Sequence, residues 1–207
     1  MKNLILIAPP GAGKGTQAKM LCKKYNLVHI SIGDLLRSQT DLNESLKEKI
    51  KKGVLIDDNI IFELLKNRLN KDDIKNGFIL DGFPRNLNQA IGLENIIKNI
   101  DVVIYLEVPK KELENRIIGR IICSNCGHVY NSLIEKLRPT NNDICDICNS
   151  KLEKRIDDTL EVFEKRYDTY IKETQPVLEF YKKQEKLYTI NLLDKDEIFN
   201  EIVRILK

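Results

Sequence analysis

The sequence predicts an α/β fold in which a parallel β-sheet is flanked by helices, and two observations support this prediction. Short apolar segments alternate along the chain with longer segments whose apolar residues recur at helical spacing. The first apolar segment, 4–7, runs directly into a glycine-rich stretch that is followed by a helical pattern. Because parallel strands buried on both faces are nearly continuous apolar runs, this order favours a sheet covered by helices on each side.

The predicted elements follow one another in a regular order. Short runs rich in Ile, Leu and Val predict strands at 4–7, 27–30, 78–80, 102–106 and 188–190. Apolar residues at three- and four-residue spacing predict helices at 17–25, 34–52, 60–69, 87–97, 112–118, 158–183 and 196–206. The segment 34–52 is very polar for a helix, and Gly53 is expected to end it.

Composition and charge exclude several classes of protein. With 207 residues, 42% of them hydrophobic and 31% charged, the chain is long enough for one sizeable core with small insertions. The net charge of +3 gives no support for a nucleic-acid or membrane partner. The longest apolar runs have only a few residues, so we expect neither a membrane span nor a signal peptide and interpret the chain as cytoplasmic.

The stretch 8–16, with the sequence APPGAGKGT, predicts a phosphate-binding loop (P-loop). Its glycines allow the backbone to wrap around a phosphate chain, and the helix that follows offers free N–H groups and the positive end of its dipole. Lys14 would reach the β- and γ-phosphates, and the Thr16 hydroxyl would lie near the metal. The loop departs from the strict pattern twice, since Ala8 replaces the first glycine and Gly15 separates the lysine from the threonine. The alternative is a glycine-rich turn that binds no ligand.

Four of the five cysteines form two C-x-x-C pairs separated by eighteen residues: Cys123 with Cys126, and Cys145 with Cys148. Two such pairs in a cytoplasmic chain are typical of a zinc site, whereas disulfides are disfavoured in a reducing compartment. Four thiolates complete a tetrahedron, so the metal would have no open position and would be structural. His128, beside the first pair, is expected to be a surface residue, not a ligand.

Several further motifs extend the pattern of the P-loop. They are PGAGKGT at 10–16, SIGDLLR at 31–37, NGFILDGFPR at 76–85 with Gln89 behind it, VP at 108–109 leading to Arg116 and then GR at 119–120, and RIDD at 155–158 with Arg166. Together they resemble the nucleoside monophosphate kinases, nearly from end to end. Within that group the chain is most similar to the adenylate kinases of the zinc-containing type.

The resemblance implies a P-loop core domain (1–30, 57–118 and 158–207) with two inserts. A small helical insert, 31–56, would bind the nucleoside monophosphate, and a lid, 119–157, would hold the four-cysteine zinc site. The implied reaction is the reversible transfer of the terminal phosphoryl group of ATP to AMP, giving two ADP, with Mg²⁺ accompanying ATP and one structural Zn²⁺. The expected partners are ATP, AMP and ADP, with no nucleic acid and no membrane. A monomer is expected because both inserts must swing freely.

The resemblance also assigns roles to individual residues. Catalysis would use Lys14, Arg85, Arg116, Arg120, Arg155 and Arg166. ATP would be bound by Gly11, Ala12, Gly13, Lys14, Gly15, Thr16, Arg120, Val129, Tyr130 and Leu193. AMP would be bound by Ile32, Arg37, Val54, Leu55, Ile56, Gly82, Phe83, Pro84, Arg85, Gln89, Arg155 and Arg166.

A magnesium ion would be held through water by Asp81 and Thr16. A carboxylate directly after a buried strand suits this role, and the alternative for Asp81 is a helix-capping function. Six of the nine arginines lie at motif positions, which favours phosphate binding over a surface role, because the guanidinium fork fits phosphate in a bidentate manner.

The clearest departure from the family pattern is Ile32, where adenylate kinases commonly carry a threonine whose hydroxyl lies close to the adenine of AMP.

Two alternatives for the function stay open. The acceptor could be another nucleoside monophosphate such as UMP or CMP. Less in keeping with the motifs, the cysteines could form a zinc ribbon on a P-loop ATPase that binds nucleic acid, although few basic or aromatic residues lie between Cys126 and Cys145.

Overall fold

The computed structural model of the chain describes residues 2–38, 44–52, 56–141 and 143–207, and within them the predicted α/β architecture is confirmed. A parallel sheet has the strand order β2-β3-β1-β4-β8. Its strands are β1 (Lys2–Ile7), β2 (Val28–Ser31), β3 (Gly77–Asp81), β4 (Val102–Leu106) and β8 (Leu187–Ile190).

Helices cover both faces of this sheet. They are α1 (Lys14–Tyr25), α2 (Ile32–Arg37), α3 (Glu44–Lys51), α4 (Asp58–Leu69), α5 (Leu87–Ile96), α6 (Lys110–Ile118), α7 (Leu160–Thr169), α8 (Gln175–Lys183) and α9 (Lys195–Ile205). A π-helical turn, Tyr170–Thr174, joins α7 to α8. None of the described helices combines the length and the apolar character that crossing a bilayer would require.

The central strand β1 contributes side chains to two hydrophobic cores, one on each face of the parallel sheet. Leu4, Ile5, Leu6 and Ile7 are each at most 2% exposed. Ile5 and Ile7 pack on one face of the sheet, whereas Leu4 and Leu6 pack on the other. Because successive side chains of a strand point to opposite faces, a continuous apolar run is what a strand buried on both sides requires.

The strands that carry the predicted site end at the same edge of the sheet. Leu6 pairs with Asp81, and Asp81 pairs with Ser31, so β1, β3 and β2 finish side by side. In open α/β sheets ligands bind beyond the carboxyl ends of the strands, where the chain connections diverge to either side. The P-loop stretch 8–16 begins at this edge.

Two predicted helices are divided differently in the structure. The predicted segment 34–52 contains two helices, α2 and α3, and α2 begins at Ile32 because the Ser31 hydroxyl caps it, accepting a hydrogen bond from the Asp34 N–H at 3.2 Å. The helix α2 ends at Arg37, and the hydroxyl of Ser38 then donates to the Leu35 carbonyl at 2.7 Å. Residues 39–43 and Gly53 lie outside the described residues.

The segment predicted as helical at 158–183 begins at Leu160, after the Thr159 cap, and is interrupted by the π-helical turn. A hydroxyl side chain at the cap satisfies a free N–H group, so the helix starts where Thr159 stands and not at Asp158.

An antiparallel sheet in the cysteine-bearing insert was not predicted. It has the order β6-β5-β7, with β5 (Arg120–Cys123), β6 (Val129–Asn131) and β7 (Leu152–Glu153). Strands of two to four residues give too little alternation for a sequence pattern to detect. The sheet encloses a small buried cluster made of Ile121, Cys123, Tyr130, Cys145 and Leu152.

Candidate active site

The loop between β1 and α1 has the shape of an anion cradle. Gly11 and Gly13 have φ angles of 85° and 89°, which side chains with a Cβ rarely adopt. A Cβ on Gly11 would come within 2.9 Å of the Ile117 side chain, so close packing also requires glycine there. Helix α1 starts at Lys14 with no side-chain cap, which leaves its first N–H groups available to a ligand.

The Lys14 ammonium group lies inside this loop. Its Nζ donates to the carbonyl oxygens of Ala8 at 2.9 Å and Pro9 at 3.2 Å. Burial, together with the nearby arginines 85, 166 and 120, lowers the pKa of Lys14 to about 8, although the Asp81 carboxylate acts in the opposite direction. An anion bound in the loop would therefore relieve an unfavourable concentration of positive charge.

Acidic side chains hold the predicted arginines in the part of the site that faces the lid insert. Arg120 forms a bidentate pair with Asp158, in which the Nε–Oδ2 distance is 2.7 Å. Arg166 donates to Asp157 at 2.8 Å. The arginines were predicted, whereas no role was predicted for these two aspartates, whose side chains are 1% exposed in Asp158 and 5% exposed in Asp157.

Two other arginines contact α2 and the residue that follows β3. Arg155 lies 3.9 Å from Asp34, and burial lowers its pKa to about 10. Arg85 donates from Nε to the Gly82 carbonyl at 2.8 Å, and burial lowers its pKa to about 10 as well. Low pKa values for guanidinium groups indicate a site where positive charge is crowded and removed from water.

Two cavities share part of their lining. The first, of about 540 Å³ including space open to solvent, is lined by the P-loop, including Lys14. The second, of about 580 Å³ on the same measure, is lined by residues of α2, α4 and α5. Residues shared by the two cavities are Gly82, Phe83, Arg85 and Arg166. An anion in either cavity would thus lie beside the same two guanidinium groups.

The second cavity contains most of the residues predicted for the monophosphate. Ile32 is 2% exposed and faces it together with Ile56 and Gln89. Arg37 also lines it and donates to Asp34 at 2.5 Å. Pro84 lines the first cavity, whereas Val54 and Leu55 lie outside the described residues.

Asp81 faces the P-loop, as its predicted role requires. A Cβ placed on Gly15 would lie 3.5 Å from Oδ2 of Asp81. The same oxygen accepts a hydrogen bond from Nε2 of His29 at 3.2 Å. Carboxylate oxygen is a hard ligand that suits Mg²⁺, so the Asp81 side chain fits a magnesium site beside the loop. His29 was missed, because a single histidine in a strand gives no sequence signal of this contact.

The four predicted cysteines are brought together. Their sulfur atoms all lie within 4.8 Å of one another, with Sγ–Sγ distances of 3.4 Å for Cys123–Cys148 and 3.7 Å for Cys126–Cys145. Zinc–sulfur bonds of about 2.3 Å in a tetrahedron place sulfurs about 3.8 Å apart, close to these values. This group could hold a metal ion, and His128 is exposed, as predicted.

The structure places Val129, Tyr130 and Leu193, which were predicted to contact the donor nucleotide, in different surroundings. The Tyr130 side chain turns away from the P-loop: its hydroxyl lies 3.4 Å from the Cys145 sulfur and accepts from the Asp146 N–H at 2.8 Å. Val129 is exposed. The Leu193 carbonyl accepts from Arg116 at 3.1 Å, so this loop adjoins a predicted catalytic arginine.

Comparison with known proteins identifies relatives along the whole chain. A family model described as adenylate kinase matches residues 6–186. The chain is 44% identical to an adenylate kinase of Thermosipho africanus, and the alignment covers 99% of both chains. It is also 44% identical to an adenylate kinase of Methanosarcina barkeri, over 99% of this chain and 98% of that protein. The identity to an adenylate kinase of Caldicellulosiruptor saccharolyticus is 42%, over 99% and 97%.

The pKa of Lys14 leads to a prediction about protons. Near pH 8 about half of the Lys14 groups are neutral in the ligand-free site, and a bound polyanion raises the pKa because it favours the charged form. We expect the binding of inorganic tripolyphosphate at pH 8 to be accompanied by proton uptake at Lys14, measured by calorimetry in two buffers of different ionisation enthalpy after correction for the proton exchange of the ligand itself.

A lysine on the exposed side of the same helix provides the matched control. Lys23→Met should keep the proton uptake, because Lys23 is exposed, whereas Lys14→Met should lose it. Uptake that persists in Lys14→Met would contradict the assignment of the titrating group.

Proposed function

The chain belongs to the adenylate kinase family, and we propose that it catalyses the reversible transfer of the terminal phosphoryl group of ATP to AMP, giving two ADP. One observation supports this most strongly: the P-loop cavity and the second cavity meet at Arg85 and Arg166. A triphosphate in the P-loop and a monophosphate opposite would bring their reacting groups to the same two arginines.

Phosphoryl transfer requires positioning and charge stabilisation more than covalent chemistry by the protein. Lys14 would contact the β- and γ-phosphates, and its buried ammonium group would stabilise charge that develops on the transferred group. Mg²⁺ held with ATP would supply positive charge against the phosphates. Asp81 and Thr16 would hold it through water at the end of β3.

Two aspartates at the boundary between the proposed lid and the core keep the arginines oriented before substrate binds. Asp157 and Asp158 are almost fully buried beside Arg166 and Arg120, so these guanidinium groups are held in one geometry. Preorganised charge of this kind is effective because little reorganisation is required at the moment of reaction. Arg116 and Arg155 would complete the positive enclosure around the travelling phosphoryl group, and Arg37 and Arg85 would bind the AMP phosphate.

The remaining proposals concern the domain bounds, further nucleotide contacts, the oligomeric state and the location in the cell. We propose a core of 1–30, 57–118 and 158–207, a monophosphate-binding insert of 31–56 and a lid of 119–157. We propose that 54–56 bind AMP, with backbone groups of Leu55 and Ile56 contacting the adenine edge. Val129, Tyr130 and the turn at Leu193 would contact the donor nucleotide. The enzyme is expected to act as a cytoplasmic monomer.

We propose that the cysteine group binds one Zn²⁺ with a structural role. Four thiolates leave no open coordination position, and the cluster beneath them is too small to order the lid by apolar burial alone. The Tyr130 hydroxyl close to the Cys145 sulfur supports the metal site from the interior of the insert.

An assay with a panel of substrates tests the activity. With ATP or GTP as donor, AMP should be the preferred acceptor over UMP, CMP and GMP.

Lys14→Ala should lower kcat by about 10²–10³ without loss of secondary structure, because it removes a charge that acts on the transition state. Lys23→Ala, on the exposed side of α1, should leave kcat unchanged, and near-normal turnover in Lys14→Ala would reject the P-loop assignment.

The metal proposal concerns stability. Purified protein should contain one zinc per chain by mass spectrometry, and Cys123→Ser with Cys126→Ser should remove it and lower Tm. Turnover at low temperature should persist, because the metal makes no contact with the reaction. Cys22→Ser, outside the group, should retain the zinc. Zinc-free protein with an unchanged Tm would be evidence against the site.

Ile32 yields a prediction about AMP affinity. Its buried side chain gives only apolar contact in the second cavity, whereas threonine would add a hydroxyl near the base. A net hydrogen bond is worth about 0.5–1.5 kcal/mol, so Ile32→Thr should lower KM for AMP severalfold. The kcat should change little, since the contact is equal in ground and transition states.

Ile32→Val is the control, because it also shortens the side chain but adds no hydroxyl. Steady-state kinetics with AMP, UMP, CMP and GMP compare all three forms. If KM for AMP is unchanged or higher in Ile32→Thr, the hydroxyl has no partner in the cavity.

A further inference from the structure

The side chain of Gln89 is held in one orientation by two different partners. It is 2% exposed and lines the second cavity. Its Oε1 accepts from the Arg85 N–H at 2.7 Å, and its Nε2 donates to Oδ1 of Asp58 at 2.6 Å. The carboxamide therefore has an N–H donor against its oxygen and a carboxylate against its nitrogen.

Asp58 is the partner that makes this orientation difficult to reverse. A carboxylate only accepts hydrogen bonds, so a rotated amide would place Oε1 against Asp58 and Nε2 against the Arg85 N–H. Both contacts would become repulsive at a buried position, where unpaired polar groups are costly. Asn86 fixes the carboxylate in turn, since its Nδ2 lies 3.2 Å and 3.3 Å from the two oxygens.

The carboxylate of Asp58 is not engaged in capping α4. That function belongs to the preceding residue, Asp57, whose side chain accepts from the Asn59 N–H at 2.9 Å. Asn86 caps α5 by accepting from the Gln89 N–H at 2.7 Å. The starts of α4 and α5 are therefore connected through Asp58. Its described hydrogen bonds are with the side chains of Asn86 and of Gln89, which lines the second cavity.

With two of its hydrogen-bonding positions taken, the Gln89 amide retains one N–H donor and one lone pair. A base edge that carries an amino group beside an unprotonated ring nitrogen, as in adenine, can use both. A 6-oxopurine presents the opposite pattern, an oxygen beside a ring N–H, and would require the rotated amide. A fixed amide therefore discriminates by hydrogen-bond polarity and not by size.

We propose that Asp58 is a positioning residue that sets the selection of amino over oxo bases, by locking the Gln89 carboxamide. The proposal rests on the function given above, because it supposes that the monophosphate lies in the second cavity. Asp58 acts through Gln89 and touches neither the phosphates nor the reacting atoms.

Steady-state kinetics with AMP and IMP test it, since these two differ only in the polarity of that edge. In Asp58→Ala the ratio of kcat/KM for AMP to that for IMP should fall by about tenfold. The change should arise mainly from a higher KM for AMP, with kcat at saturation within about threefold. Asp58→Asn should keep the ratio, because its amide oxygen can still accept from Gln89.

Asp57→Ala is the matched control, since it removes an equal charge from the adjacent position. It should lower Tm through loss of the helix cap and leave the AMP to IMP ratio unchanged. Should Asp58→Ala fail to fold, Asp58→Ser, whose hydroxyl is too short to reach Gln89, carries the same expectation. An unchanged ratio in these variants, or an equal fall in Asp57→Ala, would overturn the proposal. A wild-type enzyme that does not use AMP would instead reject the proposed function.

Discussion

The crowding of positive charge at one edge of the sheet is the constraint around which the rest of the structure is arranged. Lys14, Arg85 and Arg155 are partly withdrawn from water and lie beside other positive groups, so their pKa values fall to about 8, 10 and 10. Such a group of like charges is unfavourable unless anions are close. The protein supplies carboxylates from separate segments, and the substrates supply phosphates.

The core explains how this charge is tolerated. The central strand is buried on both faces and supplies side chains to two clusters, which fixes the position of the loop that follows Ile7. The Lys14 ammonium group then bonds to carbonyls of that loop, and Asp81 at the end of the neighbouring strand faces it. A rigid apolar sheet thus holds polar groups whose mutual repulsion would otherwise separate them.

Short-range sequence patterns predicted the elements whose structure depends on a few consecutive residues. Apolar runs revealed the strands of the parallel sheet, and spacing revealed the P-loop and the cysteine pairs. The strands of the lid were missed because a pair such as Leu152–Glu153 is too short to alternate. Contacts between residues that are distant in the sequence were also missed. No pattern near Asp58 indicates its contact with Gln89, and the burial of Tyr130 against Cys145 depends on how the whole insert folds.

The start of helix α5 has a consequence for how substrate choice can change over evolutionary time. Gln89 makes three kinds of contact: its backbone N–H donates to the Asn86 cap, its side-chain oxygen accepts from the Arg85 backbone, and its side chain lines the second cavity. A mutation there would alter the start of α5, the contact with Arg85 and the lining of the second cavity together. Evolutionary change in selectivity should therefore be easier at residues of the same cavity that make fewer such contacts, and the apolar side chain of Ile32 is one of them.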